Sequence, residues 1–524
     1  MQNTEIVPAD GGIFKEGIIG QPQSLNPLFS MLNDADRDIS ELIFSGLLAY
    51  NSNGDLEKDL AKEYQLSDDG KTYQFTLKDD LLWSDGEPLT TNDIIFTIEA
   101  IKDIKVQSPL RLTWQDVKVE KIDEKTIVFT LEAPYLPFLE SFTLKILPQH
   151  IFQDISPQEY STKPREKIIG SGPFKIKTVE KDKDDKIEKI VLERNQNFYG
   201  KIPFFEGVEL TFVNSEEELL KLKNKETALA NISPQSKEKL GERYNIYSLF
   251  LPRYFALFLN QENKILSQKE VREALAMATP KEDIIEKALL GEGRIVDGPL
   301  LEENKIGGEI KKYNFNLEEA KKKLEESHWV DSNNDGIREK ILAEGEESTT
   351  LELNLLTLPQ PQLQETAEIL KNTWQEIGVN LNVQSVEGEK LRQDYISQRQ
   401  YDILLYAQGL YMIPDPSSFW HSTQKKYPGL NFSLYQQSET DDLLKKSIEE
   451  INQTKRQELL QSFSKKLTED IPAIFLYSPN FLYAIDKDVK GIQTKYIVNP
   501  SQRFINIENW YINEKRVPLS SNFE

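Results

Sequence analysis

Apolar and polar side chains alternate around residue 75 with a period of two. Tyr73, Phe75 and Leu77 are separated by polar residues, so a strand here would carry three large apolar side chains on one face. An Asp-Gly pair precedes this run and predicts a turn into the strand. Further along, the run Thr90 to Asp93 offers N-cap oxygens to a helix with apolar residues at helical spacing. The pattern therefore predicts a strand and a helix in succession.

A second pattern predicts a βαβ unit in the C-terminal half of the chain. Apolar residues alternate over 350–356 and again over 379–383, whereas residues 363–377 carry an apolar stripe at helical spacing that ends at Gly378. Strand, helix and strand in this order favour two parallel strands joined by a right-handed crossover. This part of the chain is therefore expected to form a layered α/β domain.

Chain length and charge narrow the class of protein. The chain has 524 residues, too many for a single core when a domain holds roughly 150 residues. Its 86 acidic residues exceed its 63 basic residues and give a net charge of −23. Because nucleic-acid binding needs a positive surface against the phosphates, no nucleic-acid partner is expected.

The sequence also limits covalent chemistry and membrane insertion. It contains no cysteine, which excludes disulfides, thiolate metal sites and a cysteine nucleophile. No window reaches the roughly 20 apolar residues needed to span a bilayer. Residues 1–12 lack the basic and apolar regions of a signal peptide and are expected to form a polar leader.

Few residues suggest catalysis or metal binding. The three histidines, His150, His328 and His421, are far apart, and none has a second histidine at metal-ligand spacing. The sequence also lacks the GxSxG and HExxH motifs of hydrolases. Catalytic residues, metal ligands and cofactors are therefore not expected.

One polar turn shares features with a calcium-binding loop. Asp331, Asn333, Asp335 and Gly336 match the first half of such a loop, but its twelfth position holds leucine where a bidentate glutamate is needed. An ordinary polar turn is the alternative. The sequence leaves open whether this turn binds a cation.

Three motifs around the first pattern follow one another in a characteristic order. The sequence DDGKTYQFTLK is followed by WSDG and then by PLTTNDIIFT. With Leu25-Asn26-Pro27 upstream and GSGPFKI downstream, the chain resembles the extracytoplasmic solute-binding proteins of the peptide/nickel class. These proteins, which include oligopeptide- and dipeptide-binding proteins, are the receptor subunits of ABC importers.

The resemblance implies an α/β fold of the class II periplasmic-binding-protein type, with two lobes and an inserted third subdomain. The expected segments are 1–12 for the leader, 13–50, 167–258 and 478–524 for lobe I, 51–166 for the inserted subdomain, and 259–477 for lobe II. Both ends of the chain would then belong to lobe I. The two crossovers between the lobes are expected to act as a hinge.

The function that the resemblance implies is capture of a peptide or similar solute outside the cytoplasmic membrane, in a cleft that closes between the lobes. The solute would then pass to an ABC permease. A monomer is expected, with a membrane anchor in the full-length precursor, and no enzymatic activity. A ligand-sensing receptor or a chaperone on the same fold is an alternative. A peptide hydrolase is a further alternative, which would need a nucleophile-base pair or metal ligands.

Residues 406–420 form the segment with the clearest link to ligand binding. In peptide-binding relatives the matching stretch lines the cleft, and its backbone pairs with an extended peptide like an added strand. Those relatives carry an acidic residue three positions before the acidic member of a "[DE]P" pair, where it holds the peptide's N-terminal amine. Asp415-Pro416 supplies the pair here and places Met412 at the amine-binding position.

The charge-assisted anchor for a free amine is therefore missing from this segment. Either the ligand binds differently, or a carboxylate elsewhere substitutes, or the ligand is not a short free peptide. The resemblance implies ligand contacts from Gln408, Gly409, Leu410, Tyr411, Met412, Trp420, Ser30, Met31, Asn33, Trp114, Phe475 and Tyr477. Core packing is the alternative for Tyr411, Met412, Trp420 and Trp114, because large side chains in such positions are often buried.

Overall fold

The computed structural model describes residues 4–163, 168–341 and 347–518. The chain divides into two compact units: unit 1 comprises residues 1–251 and 481–524, and unit 2 comprises residues 252–480. The expected boundary between the inserted subdomain and lobe I, at 166/167, lies outside the described residues. Among the described residues, no helix combines the length and the apolar character needed to cross a membrane.

The main sheet of unit 1 is mixed. In spatial order its strands are Ala228–Ala230, Ile13–Ile19, Gly207–Val213, Ile187–Arg194 and Phe174–Lys181. Ile13–Ile19 runs parallel to both of its neighbours, and the remaining pairs are antiparallel. The last residues of the strand Ala473–Asp486 pair with Ala228–Ala230. Apolar side chains from this sheet and from helix Asp34–Ile43 form one buried core.

The expected polar leader is in part a strand. Thr4–Ala9 pairs antiparallel with Asn513–Pro518, near the other end of the chain. The segment includes Ile6 and Val7, whose β-branched side chains favour an extended backbone. Residues 1–12 were expected to form only a polar leader, because nothing close in sequence indicates this partner strand. Residues 1–3 lie outside the described residues.

The first sequence pattern forms a four-stranded antiparallel sheet with a helix. The strands, in spatial order, are Ala61–Leu66, Thr72–Leu77, Thr126–Thr130 and Lys118–Lys121. Tyr73, Phe75 and Leu77 are buried on one face, as predicted. Helix Thr91–Lys102 begins after Thr90, whose Oγ1 accepts from the Asn92 amide at 3.2 Å, and the Asp93 carboxylate accepts from the Thr90 amide at 2.9 Å. The predicted strand and capped helix are confirmed.

Unit 2 is built on a second sheet. Its strands, in spatial order, are Asn380–Ser385, Glu352–Thr357, Ile403–Gly409, Arg253–Leu259 and residues 473–480 of Ala473–Asp486. Glu352–Thr357 and Asn380–Ser385 are parallel and are connected by helix Pro361–Gln375, which confirms the predicted βαβ unit.

The strand Arg253–Leu259 belongs to unit 2, although most of it was expected in lobe I. It pairs with Ile403–Gly409 along its whole length. Its two faces enter two different cores of unit 2, one around Leu257 and one around Phe258. A continuous apolar run identifies such a strand as buried on both faces but does not identify its sheet.

Helices and short strands complete the two units. The α-helices of unit 1 are Asp34–Ile43, Thr91–Lys102, Arg111–Trp114, Gln149–Phe152, Glu216–Lys221 and Lys237–Leu240. The α-helices of unit 2 are Lys269–Met277, Lys281–Ala288, Leu317–Glu326, Pro361–Gln375, Gly388–Lys390, Ser417–Trp420, Ser438–Glu449 and Gln453–Asp470, and Leu391–Ile396 is a π-helix. The other strands are Leu48–Tyr50, Leu56–Lys58, Tyr244–Phe250, Gly293–Ile295, Glu339–Lys340 and Thr349–Thr350.

A cluster of charged side chains is buried in the core of unit 1. The Arg503 guanidinium binds the Asp38 carboxylate through two hydrogen bonds of 2.6 and 2.7 Å, and Glu16 through Nε at 2.7 Å. Tyr483 donates its hydroxyl to the other oxygen of Glu16. The Arg503 and Glu16 side chains are at most 1% exposed. Burial raises the pKa of Glu16 to about 7, although the charge of Arg503 opposes this rise.

Replacing Glu16 with glutamine is expected to reduce the pH dependence of stability. The pKa of Glu16 rises from 4.5 to about 7 on folding, so between these values the folded state binds more protons than the unfolded chain. The free energy of unfolding therefore falls as the pH rises from about 4.5 to about 7, by an amount on the order of 1–3 kcal/mol. The Glu16→Gln variant lacks this contribution.

The measurement is urea unfolding of unit 1 at pH 5 and pH 8. Burial also raises the pKa of Asp36 to about 6, so the informative quantity is the difference between variant and wild type. Glu63→Gln, at an exposed position of the same unit, is the matched control. An identical loss of stability between the two pH values in wild type and Glu16→Gln would contradict the prediction.

Candidate ligand-binding site

The strand Ile403–Gly409 has one edge that is only partly paired. On one side it pairs with Arg253–Leu259 from end to end. On the other side it pairs with Glu352–Thr357 only at Ile403 and Leu404. The Thr357 hydroxyl then donates to the Leu405 carbonyl at 3.1 Å. Within the described part of the chain, no strand pairs with this edge beyond Leu405.

The register of the strand shows which backbone groups face the open edge. Asp402 accepts from the Asn260 amide at 2.9 Å, and the Leu410 amide donates to the Pro252 carbonyl at 2.6 Å. Even-numbered residues therefore direct their backbone groups towards Arg253–Leu259, because the direction alternates along an antiparallel strand. Ala407 and Gly409 direct their N–H and C=O groups to the open edge. Such an edge can accept a further strand.

Behind this edge lies a buried polar and aromatic group. Tyr254 donates its hydroxyl to Oε1 of Gln408. The Phe475 ring lies 5.2 Å from the Tyr254 ring and 5.9 Å from the Trp420 indole, measured between centroids. Burial raises the pKa of Tyr254 well above its ordinary value, so the hydroxyl stays protonated as a donor. The structure thus brings Gln408, Trp420 and Phe475 together, with Tyr254 between them, on one buried face of the strand.

The last residue of the strand and the residues after it differ in exposure. Leu410 is buried, Met412 is half-buried, and Gly409 is exposed. Tyr411 is 64% exposed, which makes it one of the most exposed large apolar side chains in the described residues. Gly409 and Tyr411 are therefore accessible to solvent, whereas the burial of Trp420 agrees with the core-packing alternative.

Tyr477 lies on a different face of the sheet from this group. Its ring stacks on Phe255 with centroids 5.2 Å apart, and its hydroxyl lies 3.3 Å from the Thr366 hydroxyl. Burial raises the pKa of Tyr477 to about 12. The side chain belongs to the core that also contains Leu257, so the structure separates it from Gln408 and Phe475.

The expected contacts from the N-terminal region lie in a turn of unit 1. Ser30 donates its hydroxyl to the Pro27 carbonyl at 2.9 Å. Asn33 caps helix Asp34–Ile43, since its Oδ1 accepts from the Ala35 amide at 2.8 Å. Met31 is 46% exposed. Capping therefore occupies the Asn33 side chain, while Met31 presents an apolar side chain to solvent.

Trp114 lies in the core of unit 1. Its indole is 2% exposed and packs edge-on against three phenylalanine rings at centroid distances of 6.0, 5.0 and 5.9 Å: Phe129, Phe138 and Phe142. The core-packing alternative accounts for Trp114, because the surrounding rings enclose the whole side chain.

The Asp331 carboxylate accepts hydrogen bonds from backbone amides of its own polar turn. The Asp331 oxygens accept from the amides of Asp335 and Gly336, at 3.1 and 3.0 Å. The arrangement is that of the ordinary polar turn considered as the alternative. Within residues 4–163, 168–341 and 347–518, no group of three or more His, Asp or Glu side chains is placed to hold a metal ion.

Three residues that contact residues 406–420, the candidate segment, were not identified from the sequence. Tyr254 binds Gln408, Asn304 donates to the Tyr411 carbonyl at 2.9 Å, and Arg456 donates to the Pro414 carbonyl. Tyr254 lies in the apolar strand Arg253–Leu259, where the sequence pattern indicates burial but not a hydrogen bond to Gln408. The other two are far from the segment in sequence, and no local pattern indicates their contacts.

The fold is that of the class II periplasmic binding proteins, and the comparisons with known proteins agree. Residues 55–429 match the model of a family described as bacterial extracellular solute-binding proteins, family 5. The chain belongs to this family. The predicted family and α/β fold class are confirmed, and the protein is an extracellular solute-binding protein.

Individual relatives cover almost the whole chain. The oligopeptide-binding protein AppA of Bacillus subtilis is 28% identical over 96% of this chain and 92% of its own. Its structure in complex with a nonapeptide has a TM-score of 0.73, 25% identity, and coverage of 97% of this chain and 100% of its own. NikZ of Campylobacter jejuni, solved with Ni(L-His), has a TM-score of 0.75, 27% identity, and coverage of 95% and 99%.

Proposed function

We propose that this protein captures a peptide outside the cytoplasmic membrane and delivers it to an ABC permease. The observation that carries the proposal is the open edge of Ile403–Gly409, at which Ala407 and Gly409 direct their backbone groups outward. An extended peptide can pair with such an edge through its own backbone. The nonapeptide bound by AppA supports a peptide as the ligand class.

Backbone pairing explains how one site would accept many sequences. Each hydrogen bond of this kind contributes about 0.5–1.5 kcal/mol net, and none of them depends on the side chains of the peptide. The exposed Tyr411 and the half-buried Met412 would add apolar contact that adapts to different ligands. The contacts expected from Ser30, Met31 and Asn33 stay predictions of the resemblance.

We infer four further properties from the family. The protein acts at the outer face of the cell membrane, its full-length precursor carries a membrane anchor, and it works as a monomer. It releases its ligand unchanged, so incubation with a peptide panel should yield no cleavage products. Peptide uptake is compared between cells that contain both the protein and its permease and cells that lack both. Uptake that depends on them distinguishes transport from sensing or chaperoning.

The proposal is tested by calorimetric titration with matched N-methylated peptides. Alternate residues of an added strand direct their N–H groups to the edge. Methylating those amides removes the donors to the Ala407 and Gly409 carbonyls and should weaken binding by about 0.5–1.5 kcal/mol for each bond lost. Methylating the other set of alternate amides is the control and should have little effect. Equal affinity of the two series would contradict backbone pairing.

Replacing Met412 with aspartate is expected to improve the binding of peptides with a free amine by about 10- to 100-fold. A carboxylate at the predicted amine-binding position would supply the missing charge-assisted bond, which is worth about 1.5–3 kcal/mol. The variant Met412→Asn is the matched control, because asparagine is similar in size to aspartate and carries no charge. N-acetylated peptides should gain nothing. No gain for free-amine peptides across the panel would show that Met412 does not occupy the amine-binding position.

A further inference from the structure

Two buried side chains hold the backbone that follows the open edge. We propose that Arg456 and Asn304 are positioning residues for the ligand, because they fix the conformation of residues 410–416. This inference rests on the proposed function, since it assumes that the open edge and this segment receive the ligand. Neither residue is itself assigned a contact with the ligand.

Arg456 joins the segment to the end of a helix. It lies on helix Gln453–Asp470 and is 4% exposed. Its Nη2 donates to the Pro414 carbonyl, and its Nε donates to the Ser447 carbonyl at 3.0 Å. Ser447 is in the last turn of helix Ser438–Glu449, where carbonyls have no partner within the helix. One planar guanidinium thus satisfies both the helix end and the segment.

Asn304 fixes the segment three residues earlier. It is 6% exposed, its Nδ2 donates to the Tyr411 carbonyl at 2.9 Å, and its Oδ1 accepts from the Leu301 amide at 2.9 Å. The Tyr411 carbonyl is therefore used within unit 2 and does not extend the open edge. Pairing with a ligand strand should end at Gly409.

The physical argument concerns the entropy of binding. A loop that must become ordered when the ligand binds reduces the affinity, whereas a loop that is already fixed does not. Residues 410–416 contain no regular secondary structure. The bonds from Arg456 and Asn304 therefore contribute to holding them in place, together with the Leu410–Pro252 backbone bond and the bond from the Ser417 amide to the Asp415 carboxylate. Lysine cannot replace Arg456 fully, since an ammonium group lacks the planar fork that reaches two carbonyls in fixed directions.

Arg272 provides a matched control in the same unit. It is 5% exposed and, like Arg456, donates to backbone carbonyls, namely those of Leu266, Ser267, Asp470 and Ile471. None of these carbonyls belongs to residues 403–416. The substitutions Arg456→Lys and Arg272→Lys therefore make the same chemical change in similarly buried environments, and only the first affects the candidate segment.

The experiment combines hydrogen exchange of the unliganded protein with calorimetric titration of one peptide that wild type binds. Arg456→Lys should accelerate amide exchange in residues 410–416 and weaken peptide binding about 10-fold, the effect of one hydrogen bond of ordinary strength. Asn304→Asp should act in the same direction, because a carboxylate cannot donate to the Tyr411 carbonyl. Arg272→Lys should leave both readouts within twofold of wild type.

The inference is overturned if Arg456→Lys and Arg272→Lys change affinity equally, or if exchange in residues 410–416 is unchanged in both Arg456→Lys and Asn304→Asp. Exchange in the unliganded protein does not depend on any ligand. If wild type binds no peptide of the panel, the proposed function fails by itself. If wild type binds and the variants bind equally well, the positioning role alone fails.

Discussion

Replacing Arg503 with methionine is expected to lower the free energy of unfolding of unit 1 by about 3–5 kcal/mol. The substitution removes the only cation that hydrogen-bonds the buried carboxylates of Glu16 and Asp38 in the described cluster. Two acidic groups would then be left in the core without the cation that pairs with them, and they would have to take up protons or draw in water. The loss should be larger at pH 8 than at pH 5, because protonation removes the charge.

Urea unfolding followed by hydrogen-exchange mass spectrometry measures this loss separately for unit 1, since two units need not unfold together. Arg516→Met is the matched control, because Arg516 is exposed on a strand of the same unit. Adding Glu16→Gln to Arg503→Met should restore part of the stability, since it removes one of the two carboxylates. A loss no greater than that of the Arg516 variant would contradict the account of the cluster.

Replacing Trp114 with alanine is expected to destabilise unit 1 by about 3–5 kcal/mol while leaving peptide affinity within twofold of wild type. The indole fills the space between Phe129, Phe138 and Phe142, and its removal would leave a large cavity. A loss of stability without a loss of affinity is the result expected of a side chain that packs in the core. A side chain that contacts the ligand, as the family resemblance implied, would instead reduce the affinity when it is removed.

The measurement pairs urea unfolding of unit 1 with calorimetric titration of one peptide. Trp114→Phe is the informative second variant, because it keeps an aromatic ring in the cluster and should cost less stability than alanine. A large loss of affinity with little loss of stability would instead place the Trp114 indole in contact with the ligand.

Parts of the fold that depend on local patterns were predictable from the sequence. Tyr73, Phe75 and Leu77 alternate because only one face of their strand is buried, and Thr90 caps a helix through atoms two and three residues away. The partner of Thr4–Ala9 was not predictable, since it lies at the other end of the chain. The assignment of Arg253–Leu259 failed for a related reason: an apolar strand does not reveal which sheet it joins.

The candidate site also has some features that were predictable from the sequence and others that were not. The segment around Gly409 was identified by its match to the family, and its open edge is consistent with the pairing that the match implied. Arg456 and Asn304 were missed because a hydrogen bond to a distant carbonyl leaves no periodic signal in the sequence. The environment of Trp114 likewise depends on rings that follow it by 15 or more positions.

The identity of the natural ligand tests the central claim most directly. Native mass spectrometry of the gently purified protein, followed by denaturation and identification of the released molecules, reveals what the site binds. Capture through the backbone edge at Ala407 and Gly409 predicts a mixture of short peptides of varied sequence, because that edge does not read side chains. A single non-peptide compound, with no mass shift after peptides are added, would contradict the proposed function.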